Sequence, residues 1–232
     1  MIELRIGPEG ATPVAPPSSD TAQGLVFQKT APVGDGSLRR MEEVGLRPLA
    51  FGYVADSYGD GWEGFEKRLF DILSPPLEQA LLVVSVNEVM LEYQNVFVYD
   101  GGPDEYKELT LFKQAFAHMN DQAIDPFRHW EVQISWGAQE PSLSGWGVLY
   151  QRAYRGVQFG TPEVNPPRPA MQLVNTIRLG ARQGIQDDLN VAGLRRVLGH
   201  AHSALHLQLI DTLAADMNDS LNLRREKYIS TS

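Results

Sequence analysis

An α+β fold built on antiparallel sheet, packed by helices and carrying a long C-terminal helix, is what this sequence predicts, on three observations. Segments with the two-residue alternation of half-buried strands cluster along the chain instead of alternating with helices in a βαβα rhythm. Helical periods stand apart from those clusters. The last of them is the longest, with one apolar stripe running from Asn190 to about Leu223. The order strand, helix, strand in the first half, and strands then helix in the second, also admits two related α+β halves.

The elements follow in order. "IELRI" is a first strand, and the proline-rich run "PEGATPVAPPSSD" after it has no helical or strand period. Residues 1–24 therefore read as a strand and an extended arm, and residues 25–232 as one α+β domain with a subdivision near 121–128. "LRPLAFGYVADSY" has the β-branched and aromatic content of a strand. In "GDGWEGFEKRLFDIL", Trp62, Phe65, Leu69 and Ile72 or Leu73 fall at helical spacing, with Asp60 as N-cap and "SPP" at 74–76 as the stop. "VNEVMLEYQNVFVYD" alternates Val89, Leu91 and Tyr93 with Glu88, Glu92 and Gln94, a strand with one wet face closed by the turn residues "DGGPD".

"DEYKELTLFKQAFAHM" is read as a helix with Tyr106, Leu109 and Phe116 along its stripe. Three strands come next, as an antiparallel meander: "HWEVQISWG", with Trp130, Val132, Ile134 and Trp136 inward, then "GWGVLYQRAYRGVQ", then "MQLVNTIRLGARQ". The closing helix places Val191, Leu194, Leu198, Ala201, Leu205, Leu209, Leu213 and Met217 on one face, which should pack across the sheet.

Composition removes several classes of function. With 232 residues and 43% apolar content the chain has enough material for a sizeable core. It has no cysteine, so thiol nucleophiles, disulfides, zinc ribbons and iron–sulfur clusters are ruled out by inventory. No run approaches the roughly eighteen apolar residues of a membrane span, and "MIELRIGPEG" lacks the pattern of a signal peptide, so a cytoplasmic protein is expected. The net charge of −9 argues against general nucleic-acid binding. That charge resides in residues 1–120, which hold 9 Lys+Arg and 18 Asp+Glu, whereas residues 121–232 hold 11 of each.

The densest histidine run, "GHAHSALH", raises the question of a metal. On a helix His200 and His202 point about 200° apart, whereas His202 and His206, four residues apart, face the same way as helical ligand pairs do. No third ligand is local: position 203 is serine, and Asp211 lies about 140° round from His206. His202 also borders the apolar stripe, so a packed or hydrogen-bonded histidine is the favoured reading and no metal is assigned.

The acids of "DSYGDGWEGFE", namely Asp56, Asp60, Glu63 and Glu66, fail as an EF-hand. Started at Asp56, the loop has Gly61 at its sixth position but Tyr58 at the third and Lys67 at the twelfth. They suit a helix start instead, where carboxylates meet the positive end of the macrodipole. Neither a P-loop, nor a dinucleotide fingerprint, nor a GxSxG elbow occurs, so no catalytic residue and no cofactor is assigned.

Arginines carry the remaining site expectation. Residues 150–200 contain seven arginines and no lysine. Arg178 and Arg182, four apart in a strand pattern, should share a side, with Arg152 joining them from the neighbouring strand. Planar guanidinium groups suit carboxylates or phosphates, including an acidic partner surface. A solvated sheet face is the plainer alternative, and core packing is the plainer account of Trp130, Trp136, Trp146, Tyr150 and Tyr154.

"YGDGWEGFEKRL" after a strand, "EYQN" in a strand, a turn-rich middle, "QLVNTIRL" and "AHSALHLQLIDTL" together resemble a sporadically distributed family of uncharacterised bacterial proteins with no established activity. The resemblance spans roughly residues 45–225, with Trp62, Phe65, Tyr93, Asn95, His202 and Leu205 at the matching positions. The arm departs from it, standing where family members have a longer opening. No catalytic residue is implied. The family's patchy occurrence, like that of mobile or defence-associated genes, implies work inside a larger assembly.

The expectation is thus a noncatalytic interaction or regulatory subunit with a protein partner, compatible with a homo-oligomer. The alternative is an enzyme or small-ligand or metal-binding protein whose site is assembled from distant strands and the C-terminal helix.

Overall fold

A computed structural model describes residues 1–7, 25–32, 38–47, 50–55, 61–98, 130–159, 168–182 and 189–223. Its strands are β1 (Ile2–Gly7), β2 (Leu25–Pro32), β3 (Leu38–Arg47), β4 (Ala50–Ala55), β5 (Ser85–Val98), β6 (Trp130–Ala138), β7 (Trp146–Phe159) and β8 (Arg168–Ala181). Its helices are α1 (Gly61–Ala80), α2 (Val191–Thr212) and α3 (Ala215–Ser220). The strands are hydrogen-bonded in the order β2-β3-β4-β1-β5-β8-β7-β6. The α+β class and the β6-β7-β8 meander are as the sequence predicts. The arm after residue 7, Asp56, Asp60, the helix expected over 104–119 and the subdivision near 121–128 lie outside the described residues.

Two compact units divide the chain: one holds residues 1–91, 138–148 and 178–200, the other 92–137, 149–177 and 201–232. In the first, antiparallel register lines up two cross-strand rows on one face of the sheet. One runs Leu25, Leu46, Phe51 and, across β1, Val89, and the other Phe27, Val44, Tyr53 and, across β1, Leu91. Phe51, Tyr53, Val89 and Leu91 are buried. A bulge between Arg5 and Ile6 shifts the register, Arg5 facing Glu88 and Ile6 facing Val86, and re-aims β5, so Val86 and Val89 are both buried. Met90, on the face expected to be wet, is buried as well.

Helix α1 packs on this sheet, its Phe65 ring 5.3 Å from that of Tyr53. Contrary to the stop expected at Ser74–Pro76, α1 continues through Pro75 and Pro76 to Ala80. A proline inside a helix costs about 3 kcal/mol through a lost hydrogen bond and a ring clash. The stripe Leu69, Leu73, Leu77 accounts for the outcome: all three are buried, and Leu77 joins the core only if the helix runs on.

In the second unit the end of α2 packs on β7 and β8 through a cluster of Tyr154, Leu173, Leu209 and Leu213. The helix begins as read, with Asn190 Oδ1 accepting from the Gly193 N–H at 2.8 Å, an N-cap. It does not run to Leu223 in one piece. Thr212 Oγ1 donates back to the Gln208 carbonyl at 2.6 Å, Ala214 is extended, and Asn218 Nδ2 donates to the carbonyls of Ile210 and Leu213. Those bonds give carbonyls at the break new partners, which offsets the cost of interrupting the helix. α3 closes in a Schellman motif, with Asn222 at φ 53° and N–H bonds from Leu223 to Asn218 and from Asn222 to Asp219.

Two further expectations change. Ile134 of β6, read as inward, is 42% exposed because β6 ends the strand order and little covers it. The hairpin β2–β3 adds two strands to those read from the sequence.

If burial of Leu77 is what carries α1 through its prolines, Leu77→Ala should lower unfolding free energy by about 2–5 kcal/mol. Leu82→Ala, at a residue 77% exposed, should change it by less than about 0.5 kcal/mol. Urea unfolding of the two variants checks both values.

Candidate functional site

Arg152 is not on an open sheet face. It is 9% exposed, and all three of its guanidinium nitrogens hydrogen-bond inside the second unit. Nε donates to Asn175 Oδ1 at 2.9 Å, one Nη to the Tyr154 hydroxyl at 3.4 Å, and the other to the Gln208 carbonyl at 3.1 Å. The same group lies 5.3 Å from the centre of the Trp136 ring, which stacks on Tyr150 at 5.4 Å. Among the described residues no carboxylate pairs with it. Neutral acceptors, an aromatic face and a carbonyl in the last turns of α2, at the negative end of the helix dipole, offset the cost of its burial instead.

Arg178 and Arg182 belong to the first unit. Arg178 is half-buried, and Arg182 is exposed just past the end of β8, its backbone N–H bonded to the Gly145 carbonyl. Arg182 lies past the end of β8, and Arg152 is taken up by the core.

The histidine pair also points inward. His202 is 8% exposed, and its Nδ1 is hydrogen-bonded to the Tyr93 hydroxyl across 2.7 Å, accepting in the Nε2–H tautomer of neutral imidazole and donating in the Nδ1–H tautomer. The His202 and His206 rings are 4.4 Å apart and tilted by 58°, and Tyr93 presents its edge to both. Burial pushes His202 down to about 3, with His206 adding to the shift, and burial pushes His206 down to about 4. Both rings are therefore neutral near pH 7. One nitrogen of His202 is already taken by Tyr93, and no group of three His, Cys, Asp or Glu side chains able to hold a metal occurs among the described residues.

The feature sequence reasoning missed is the edge strand β2. Leu25, Val26 and Phe27 are 63%, 52% and 56% exposed, although Leu25 and Phe27 head the two apolar rows. "LVFQKTA" carried a signal, three apolar residues followed by three polar ones, bounded by Gly24 and the glycines of "VGDGS".

Stability should fall with acid. Both histidines titrate lower in the fold than their ordinary 6.5, so the unfolded chain takes up protons first. Stability is full above about pH 6.5 and declines toward pH 4 and below, each histidine removing about 1.4 kcal/mol per pH unit over that window. His206→Leu should reduce the slope of unfolding free energy against pH by about one proton. Arg152→Met should cost about 1–3 kcal/mol by leaving Asn175 and Gln208 without their donor, and Arg152→Lys should not restore the loss, because an ammonium lacks the planar fork. Denaturant titrations between pH 4 and 8 check all three.

Comparison with known proteins adds no relative: no family model, no curated protein and no solved structure matches this chain.

Proposed function

We propose that this chain is a noncatalytic interaction or regulatory subunit of a bacterial protein assembly, working in the cytoplasm through a protein partner. The observation that carries the reading is the exposed apolar strand β2, where Leu25, Val26 and Phe27 stand open at the end of the strand order among the described residues. Long apolar edges of that kind are usually blunted by charge, proline or a covering element, because they invite another chain. The first four residues of β2 have none of the charges or prolines that would do this.

The polar groups that invite a catalytic reading serve the interior instead. Arg152 bonds to Asn175, Tyr154 and Gln208, and His202 to Tyr93. A defence-associated setting belongs to the same proposal and draws its support from the family resemblance.

Native mass spectrometry of the protein isolated from its host, without denaturation, tests the reading. The expected result is a stoichiometric second chain of different mass. A lone chain carrying a metal or a small molecule overturns the proposal and returns attention to His202 and His206.

A further inference from the structure

We infer that β2 accepts an extended, acidic segment of the partner as an added strand, an inference that rests on the subunit reading above. The sheet's apolar rows are unfinished at this edge. Across β4 and β5 they are buried, yet their last members, Leu25 and Phe27, are more than half exposed. An incoming strand would extend both rows, bonding to the outward N–H and C=O groups of β2 while its alternate side chains cover Leu25 and Phe27.

Charge fixes the chemistry of that strand. β2 contains no acidic residue, and its one charged side chain, Lys29, is 66% exposed. Arg40 on β3 is 51% exposed. The carboxylates of the hairpin are withdrawn: Glu42 is 20% exposed between Arg68 and Lys29, and Glu43 is 24% exposed with Arg40 at 3.1 Å and the Gln28 amide at 2.8 Å. The hairpin thus shows solvent its cations and its apolar residues. A segment with apolar residues beside Leu25 to Phe27 and carboxylates beside Lys29 and Arg40 matches it. A second copy of β2 does not, because it brings no carboxylate to Lys29. The net charge of −9 does not oppose such binding at contact range, since charges farther off than about 8–10 Å are largely screened at physiological salt.

Two synthetic heptapeptides test the inference, three valines flanked on each side by two glutamates or by two lysines, titrated into the full isotope-labelled chain. The expected result is amide shifts centred on β2, with the glutamate peptide bound about fivefold or more tighter than the lysine peptide and the difference shrinking in salt. Lys29→Glu should reverse the preference, and Phe27→Lys should weaken both peptides about tenfold with the melting temperature unchanged. Equal affinity for the two peptides, shifts away from β2, or a wild-type dimer joined through β2 overturns the inference. If the native complex survives Phe27→Lys intact, the surface assigned here is wrong while the subunit reading stands. If the wild type carries no partner chain, the subunit reading itself fails.

Discussion

The first unit depends on one constraint: a pleated antiparallel sheet collects its apolar side chains in rows, and those rows need a cover. Register places Phe27, Val44, Tyr53 and Leu91 in one row and Leu25, Leu46, Phe51 and Val89 in the next. The stripe of Phe65, Leu69, Leu73 and Leu77 on α1 supplies buried surface of the same kind. The demand is strong enough to carry the helix through two prolines, since stopping at Ser74 would leave Leu77 out of the core. It also explains the exposed edge: rows extended by a hairpin reach residues where Leu25 and Phe27 stand uncovered.

The second unit solves a different problem, the burial of a cation without a carboxylate. Arg152 satisfies its donors on Asn175, on Tyr154 and on a carbonyl in the last turns of α2, and sets its flat face near Trp136. Each partner is neutral, so the arrangement gains strength from aligned dipoles and geometry, which a lysine cannot reproduce. The neighbouring histidines follow the opposite rule and stay uncharged because of burial, with His206 adding to the shift of His202. A unit with a permanent buried charge and two suppressed ones is sensitive to acid, because the two suppressed histidines must take up protons to charge.

These arrangements move the functional question from polar chemistry to surface. A reactive centre needs polar groups that converge on a space a substrate can enter. Arg152 and His202 instead complete hydrogen bonds of the core. The hairpin offers the complementary picture, apolar side chains and cations outward and carboxylates drawn in, which suits recognition by strand addition.

Much of the architecture is written in local periodicity. The alternation of β5, β7 and β8, the stripe of α2 and its Asn190 cap are short-range properties, fixed by residue spacing and by side chains that reach their own backbone. What periodicity cannot express is the competition between a local signal and burial elsewhere. Pro75 and Pro76 signal a stop, but the core retains Leu77. The stripe from Val191 to Met217 signals one helix, but Thr212 and Asn218 rehouse its carbonyls and permit a break. Arg152 sits in a plain strand alternation, and only the approach of Asn175, Gln208 and Trp136 makes it an interior residue. The same holds for function: the sequence alone determined the α+β class, the absence of thiol chemistry and the lack of a familiar catalytic motif. Which polar groups are buried, and which apolar ones stand open at β2, was decided by tertiary structure, because exposure is a property of neighbours distant in sequence.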